Sequence, residues 1–226
     1  MPAAPSLPTD AAGQRSLVLH ALRQTSLFAD WPADALERLA SASQLRAYAA
    51  GREVPFGARR QHVVVVVVAG RLEVHSVGPE GRRHVISLLG PGQVSGLVRL
   101  LDAPALPAHY RLLERSLLVH IPCAALTGLL DAQPALWRGV ALHALARQRF
   151  SIQARHHHAV SSTQRQLAST LLVVLERHGL RVQDAATPPV LQVSQAELAA
   201  MMGVTRITAR KALLAMAQAG LVALAY

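Results

Sequence analysis

One cysteine, Cys123, is all that the 226 residues contain. A lone thiol excludes an intramolecular disulfide framework, and any iron–sulfur cluster or zinc site that draws several thiolates from one chain. No run of about 18 apolar residues occurs, so a membrane-spanning helix is not expected. The opening residues, Met1-Pro2-Ala3-Ala4-Pro5-Ser6, lack the basic-then-apolar order of a secretory signal. Nothing requires an oxidising compartment, and the expected location is the cytoplasm. Lysine is nearly missing as well: Lys211 stands alone beside arginines, within 23 basic residues against 13 acidic ones. No acidic residue follows Glu197, so the final stretch of the chain repels no phosphate. The formal net charge of +10 points to a polyanionic partner, or else to a coding bias toward solvated arginines.

Hydrophobic residues make up 51% of the sequence, enough for a substantial core and against global disorder. The first dozen residues, rich in Pro, Ala and Ser, read as a mobile tail. A helical stretch follows from Trp31-Pro32 to Leu39, with Asp30 as its N-cap. From about Arg46 to Pro122 the character changes, and glycines punctuate short strand-like runs. Val63 to Val68 is six consecutive valines, the pattern of a strand buried on both faces. Leu72-Glu73-Val74-His75 alternates like a half-buried strand, and Gly78-Pro79-Glu80-Gly81 turns the chain toward Val85-Ile86. Leu112 to Ile121 reads as a further strand. Many short strands with glycine turns argue a β-barrel or roll. Beyond Pro122 helix formers take over. Leu136 to about Val160 can be one long helix, though its apolar positions keep no clean heptad. Ser162 is placed to cap the next helix, and Val190-Leu191-Gln192-Val193 reads as a short strand.

The segment from Ser194 to Leu214 carries the chemistry. Ser194 and Glu197 have the S-x-x-E spacing of a capping box, which starts a helix at Gln195. Leu198 and Met202 lie four apart on its inner face, and Ala199 is small enough for a second helix to approach. Gly203 supplies a positive φ for a tight turn, Val204 plugs the corner, and Thr205 caps a second helix that buries Ala209, Ala212 and Leu213. Small residue, glycine four later and apolar residue next is the pattern of a helix-turn-helix. The second helix then presents Arg206, Thr208, Arg210 and Lys211, and with Ser194, Gln195, Thr205 and Ile207 these are the residues expected to contact DNA. Its N-terminal part would enter the major groove, with Arg206 placed for a bidentate contact to guanine and Arg210 and Lys211 for phosphates.

A β-roll, a long helix and a C-terminal helix-turn-helix resemble the cyclic-AMP receptor / fumarate-nitrate-reduction regulator (CRP/FNR) family. The residues that carry the resemblance are Tyr48 and Gly51, Val67 through Val74, Leu89-Gly90-Pro91-Gly92, and Ser194 through Leu214, with Gly203-Val204-Thr205-Arg206 its most specific piece. It implies an α+β chain with an N-terminal antiparallel β-roll (a jelly roll like that of cyclic-nucleotide-binding domains), a long dimerisation helix and a winged helix-turn-helix. The implied boundaries are a flexible tail at 1–25, a β-roll sensing domain at 26–133, the dimerisation helix at 134–162 and the DNA-binding domain at 163–226. It also implies a homodimer on a two-fold promoter site in double-stranded DNA, with reading helices roughly 34 Å apart, and RNA polymerase as a further partner.

Departures from the family pattern bear on the ligand. Members that bind cyclic nucleotide carry Gly-Glu after the Pro-Gly turn and later Arg-Ser for the phosphate. Here Gly96 is followed by Leu97, and Leu106-Pro107 stands at the Arg-Ser position. A cyclic phosphate would lose its charge-assisted bonds there, so cyclic AMP is not expected to bind in the usual manner. Gly96, Leu97, Val98, Leu106, Pro107 and Ser151 are the expected effector-pocket residues, and the expected effector is apolar or absent. Ile207 replaces a glutamate that many members aim at cytosine, favouring a thymine methyl instead. The chain stops soon after Leu221-Val222-Ala223-Leu224, which leaves a shortened wing. A β-roll sensor with degenerate DNA binding, or a redox- or haem-responsive member, is the alternative, with His75, His84, His109 and Cys123 open to such roles. The triplet His156-His157-His158 does not converge on one metal ion, because consecutive helical residues point about 100° apart. No catalytic spacing of metal ligands or nucleophiles is present, and an enzyme is not expected.

Overall fold

The computed structural model describes residues 8, 10–54, 62–78, 81, 83–100, 108–160, 162–177, 189–191 and 193–224; for 150, 151, 153–160, 176 and 177 the backbone alone is described. The chain divides into two compact units, residues 1–74 with 88–147, and residues 75–87 with 148–226.

Helix α1 spans Ala11–Gln24, where a mobile tail was expected up to residue 25. The Asp10 carboxylate accepts from the Gly13 N–H at 2.9 Å and starts it. Val18, Ala21 and Leu22, spaced as one helical face, are buried, and that face ties the segment down. Helix α2 covers Ala33–Ala42 and is capped at Pro32, not Asp30, with the Leu36 N–H donating to the Pro32 carbonyl at 3.1 Å. Its Ala35, Leu36 and Leu39 join Phe28 and Trp31, whose rings meet edge to face with centroids 5.0 Å apart.

Seven strands follow: β1 Gln44–Tyr48, β2 Val63–Ala69, β3 Leu72–Val77, β4 Arg83–Leu89, β5 Val94–Ser95, β6 His109–Leu112 and β7 Ser116–Pro122. They form two sheets, β1-β7-β2-β5 and β4-β3-β6. The valine strand β2 is antiparallel to β7, with Val65 opposite His120 and Val66 opposite Val119. Its two faces serve different cores. Val64 and Val66 pack with the helices, while Val65 and Val67 join Leu72, Tyr110, Leu112 and Leu118 inside the roll. Each of these buried valines contributes on the order of 1.5 kcal/mol.

Strand β3 differs from the half-buried reading: Glu73 and His75 are buried along with Leu72 and Val74. The expected strand Leu112–Ile121 is split in two by a bend at 113–115. Glu114 is held there by Arg71, Nε to Oε1 3.3 Å, and its carbonyl accepts from the Ser116 hydroxyl at 2.7 Å. Gly70, at φ +87°, passes so close that a Cβ would lie 2.7 Å from the Ser116 Cα, so only glycine fits. The Gly81 N–H donates to the Gly78 carbonyl at 2.9 Å.

Helix α3, Cys123–Ala132, was not foreseen; it buries Leu126, Leu129 and Leu130 against the helical core. Helix α4 then runs unbroken over Trp137–Val160, as the sequence indicates. Leu142, Leu145 and Ile152 are about half exposed along it.

In the second unit α5 covers Thr163–Arg177, with the Ser162 hydroxyl accepting from the Arg165 N–H at 3.5 Å. Helices α6, Gln195–Met202, and α7, Arg206–Gln218, close a small core of Leu167, Leu198, Met202, Ala212, Leu213 and Met216. Val190, Leu191 and Val193 form no strand. Among the described residues, no helix is long and apolar enough to cross a membrane.

Candidate functional site

The reading head is assembled from local bonds. The Ser194 hydroxyl accepts from the Glu197 N–H at 3.1 Å, and the Ser194 N–H donates back to the Glu197 carboxylate at 2.7 Å. Both halves of the capping box are therefore made. At the other end of α6, Gly203 sits at φ 66° and ψ 27°, its N–H returning to the Ala199 carbonyl. Val204 packs into the small core. The Thr205 hydroxyl accepts from the Thr208 N–H at 3.2 Å and lies 2.9 Å from the Thr208 hydroxyl.

These bonds sort the residues expected to touch DNA. Arg206, Ile207, Arg210 and Lys211 are all exposed and share one face of α7, opposite buried Ala209, Ala212 and Leu213. Ile207 is 70% exposed, an unusual cost for an aliphatic side chain in water. Thr208 is half-buried and its hydroxyl is engaged at the cap, so it supports the helix start rather than the outer face. Ser194 is exposed and Gln195 half-buried at the start of α6. No carboxylate pairs with Arg206, Arg210 or Lys211 among the described residues.

The expected effector residues are scattered differently. Gly96 is buried at φ +94°, and a Cβ there would meet the Val63 carbonyl at 2.7 Å. A 3-10 turn, Leu97–Arg99, follows it. Leu97 is half-buried and packs against the helical core, while Val98 is 50% exposed. Leu106 and Pro107 lie outside the described residues, as does the side chain of Ser151 on α4.

Other side chains, passed over in the sequence, stand at this corner. Arg99 donates from Nη2 to the Tyr110 hydroxyl at 3.2 Å, and its guanidinium carbon lies 5.3 Å from the Tyr110 ring centre. Its Nη1 is buried and has no hydrogen-bond partner among the described residues. Arg147, on α4, donates from Nη1 to the Val94 carbonyl at 2.9 Å. His143, one helical turn earlier, has a buried Nε2 without a partner among the described residues; burial and the Arg147 charge both hold its pKa down. An arginine three residues beyond the Gly96 turn was the available signal.

Two further groups are settled by burial. The His120 Nε2 lies 2.9 Å from the Tyr48 hydroxyl, and the two rings stack. Burial, with a smaller contribution from Arg46, lowers the His120 pKa to about 4. Cys123 is buried, and burial pushes its thiol up despite the opposing Arg99 charge, which disfavours the reactive thiolate. His75 is buried on β3, whereas His84 and His109 are exposed on β4 and β6. No group of metal ligands gathers among the described residues. The side chains of His156, His157 and His158 lie outside that set.

A family model described as the cyclic nucleotide-binding domain matches residues 46–133. No curated protein matches the sequence. FixK2 from Bradyrhizobium japonicum is similar in structure, with TM-score 0.69 and 17% identity over 89% of its chain and 81% of this one. A transcriptional regulator of the CRP/FNR family from Eubacterium rectale gives TM-score 0.67 and 15% identity over 91% of its chain and 90% of this one. The c-di-GMP responsive regulator CLP from Xanthomonas campestris gives TM-score 0.66 and 18% identity over 96% of its chain and 86% of this one. Residues 46–133 match the cyclic nucleotide-binding domain family, and the chain has the same fold as these CRP/FNR-type regulator structures.

Proposed function

We propose that this chain is a transcription regulator that binds double-stranded DNA as a homodimer through α6 and α7, under the control of its β-roll. The carrying observation is the face of α7: Arg206, Ile207, Arg210 and Lys211 exposed together on a helix whose start is capped and whose surroundings hold no acidic side chain after Glu197. Arg206 and Ile207 stand at the helix start, where base edges are read, and Arg210 and Lys211 one turn later hold phosphates. Half-exposed Leu142, Leu145 and Ile152 recur three and seven apart on α4, the spacing of a helix that pairs with a second copy. Such a dimer would recognise a two-fold site at a promoter, where RNA polymerase is the natural partner. With Leu97 in place of an acid and Leu106-Pro107 in place of Arg-Ser, cyclic AMP is not held in the usual manner. No haem or metal is needed for this reading.

A second reading, a sensor that no longer reads DNA, draws on the absence of a strand at Val190, Leu191, Val193 and residues 221–224, where a wing would add phosphate contacts. Fluorescence anisotropy on DNA from the chain's own upstream region, across a salt series with and without cyclic AMP, decides between them. Selective binding with a steep salt slope, lost in Arg206→Ala, supports the regulator. Binding no tighter than to random duplex, there and on a selected pool of sites, moves the assignment to the sensor. A clear gain on adding cyclic AMP overturns the remodelled pocket.

A further inference from the structure

Ile207 stands at the second position of α7, 70% exposed among charged neighbours. Arg206 precedes it and Lys211 follows one turn later, both exposed. The helix itself, Arg206–Gln218, holds no Asp or Glu. The last carboxylate before it in the sequence, Glu197, is engaged at 2.7 Å by the Ser194 N–H at the start of α6. The Thr205 and Thr208 hydroxyls lie 2.9 Å apart, and the Thr205 oxygen also accepts from the Thr208 N–H. The start of α7 therefore offers a base edge two kinds of group: cationic N–H donors, and one branched aliphatic side chain.

The bases respond differently to such a face. In the major groove guanine shows two acceptors, and thymine shows an acceptor beside its C5-methyl group. Cytosine shows an amino donor, which needs an acceptor that α7 does not carry. Ile207 gains only by covering apolar surface, and the C5-methyl is the apolar group that a base edge exposes there. Cytosine methylated at C5 carries the same methyl at the same place on the ring. Consecutive Cα atoms lie about 3.8 Å apart, close to the roughly 3.4 Å step along one DNA strand. A guanine held by Arg206 and a pyrimidine covered by Ile207 are then neighbours.

We propose that Ile207 makes the reading head select a C5-methylated pyrimidine beside a guanine, so that 5-methylcytosine is recognised through the same methyl as thymine. The inference rests on the reading of α7 as the DNA-contacting helix and names the group on the DNA that it recognises. Binding then responds to cytosine methylation inside the site. Covering one methyl changes affinity about fourfold per half-site, and about fifteenfold across a two-fold site.

Fluorescence anisotropy with the full chain tests it, on a duplex selected by this protein from a random pool. Each thymine is replaced in turn, in both half-sites, by deoxyuridine, which removes the methyl alone. At one position this weakens binding about fifteenfold in the unmodified chain, and less than twofold in Ile207→Ala. At the same position 5-methylcytosine opposite guanine binds about fifteenfold tighter than cytosine opposite guanine, and Ile207→Ala closes that gap. Ile207 is exposed, so Ile207→Ala keeps the Tm of the unmodified chain and reports on contact rather than folding. A selected half-site without thymine, indifference to deoxyuridine at every thymine, or an equal loss in Ile207→Ala overturns the inference and leaves the regulator standing. A thymine methyl that matters without a matching gain from 5-methylcytosine overturns it too. Failure to select any site sinks the regulator and this inference with it.

Discussion

Protonation of His120 should weaken the roll below neutral pH. Folding buries the ring between β1 and β2 and places Arg46 near it, which lowers its pKa from 6.5 to about 4. The folded chain therefore keeps His120 neutral in a range where the unfolded chain binds a proton. Stability due to this group is complete above pH 6.5, falls as the pH drops below that value, and is fully lost below pH 4. At pH 5 the loss amounts to about 2 kcal/mol, and near pH 4 to about 3 kcal/mol. Urea unfolding followed by tryptophan fluorescence measures it, because Trp31 and Trp137 both lie in the unit that holds His120. The expected result is a difference of about 2 kcal/mol between the pH 7.5-to-5 losses of the unmodified chain and of His120→Gln. Parallel pH curves for the two proteins would show that His120 takes a proton as readily folded as unfolded, and the reasoning would fall.

Other perturbations address the reading head. Gly203→Ala meets no steric clash, since nothing lies within 4 Å of the new Cβ, so its cost is the left-handed backbone alone, about 1–2 kcal/mol by denaturant unfolding. Gly203→Asn should recover part of that loss. Ser194→Ala removes one half of the capping box and should lower the stability of the second unit by about 1 kcal/mol, read by circular dichroism on heating. In anisotropy titrations Arg206→Ala should lose about 1–3 kcal/mol of discrimination between the preferred site and its single-base variants. Arg210→Ala should weaken all sequences alike and reduce the salt slope by about 1.

The helix-turn-helix was legible because its requirements are local: a cap at Ser194, a left-handed residue at Gly203 and an inner face at Leu198, Met202 and Leu213 all fall within about six turns of helix. The six valines equally announced a strand covered on both sides. Helix α1 was not seen, because Pro, Ala and Ser before it resemble a tail; the three-and-four spacing of Val18, Ala21 and Leu22 was its signal. The break in Leu112–Ile121 depends on Arg71 holding Glu114 across some forty residues of sequence, which no local pattern records. Arg99 was missed for a different reason. The effector residues were chosen by position after the Pro-Gly turn, whereas the direction of each side chain depends on the 3-10 geometry of residues 97–99.

The valine run of β2 carries no address of its own. Sliding it by one residue along β7 exchanges the two cores yet leaves a valine in nearly every place, and sliding it by two leaves even the faces unchanged. Misaligned pairings of this strand are therefore nearly as well packed as the native one and must be rejected by something else. The ends of the strand do so. The Cys123 N–H donates to the His62 carbonyl at 2.9 Å at one end, and a bulge between Val67 and Ala69 marks the other. Just beyond the bulge, the contact between Gly70 and Ser116 admits no side chain. The chain finds its alignment from this punctuation, while the hydrophobic interior supplies the force of closure without the information.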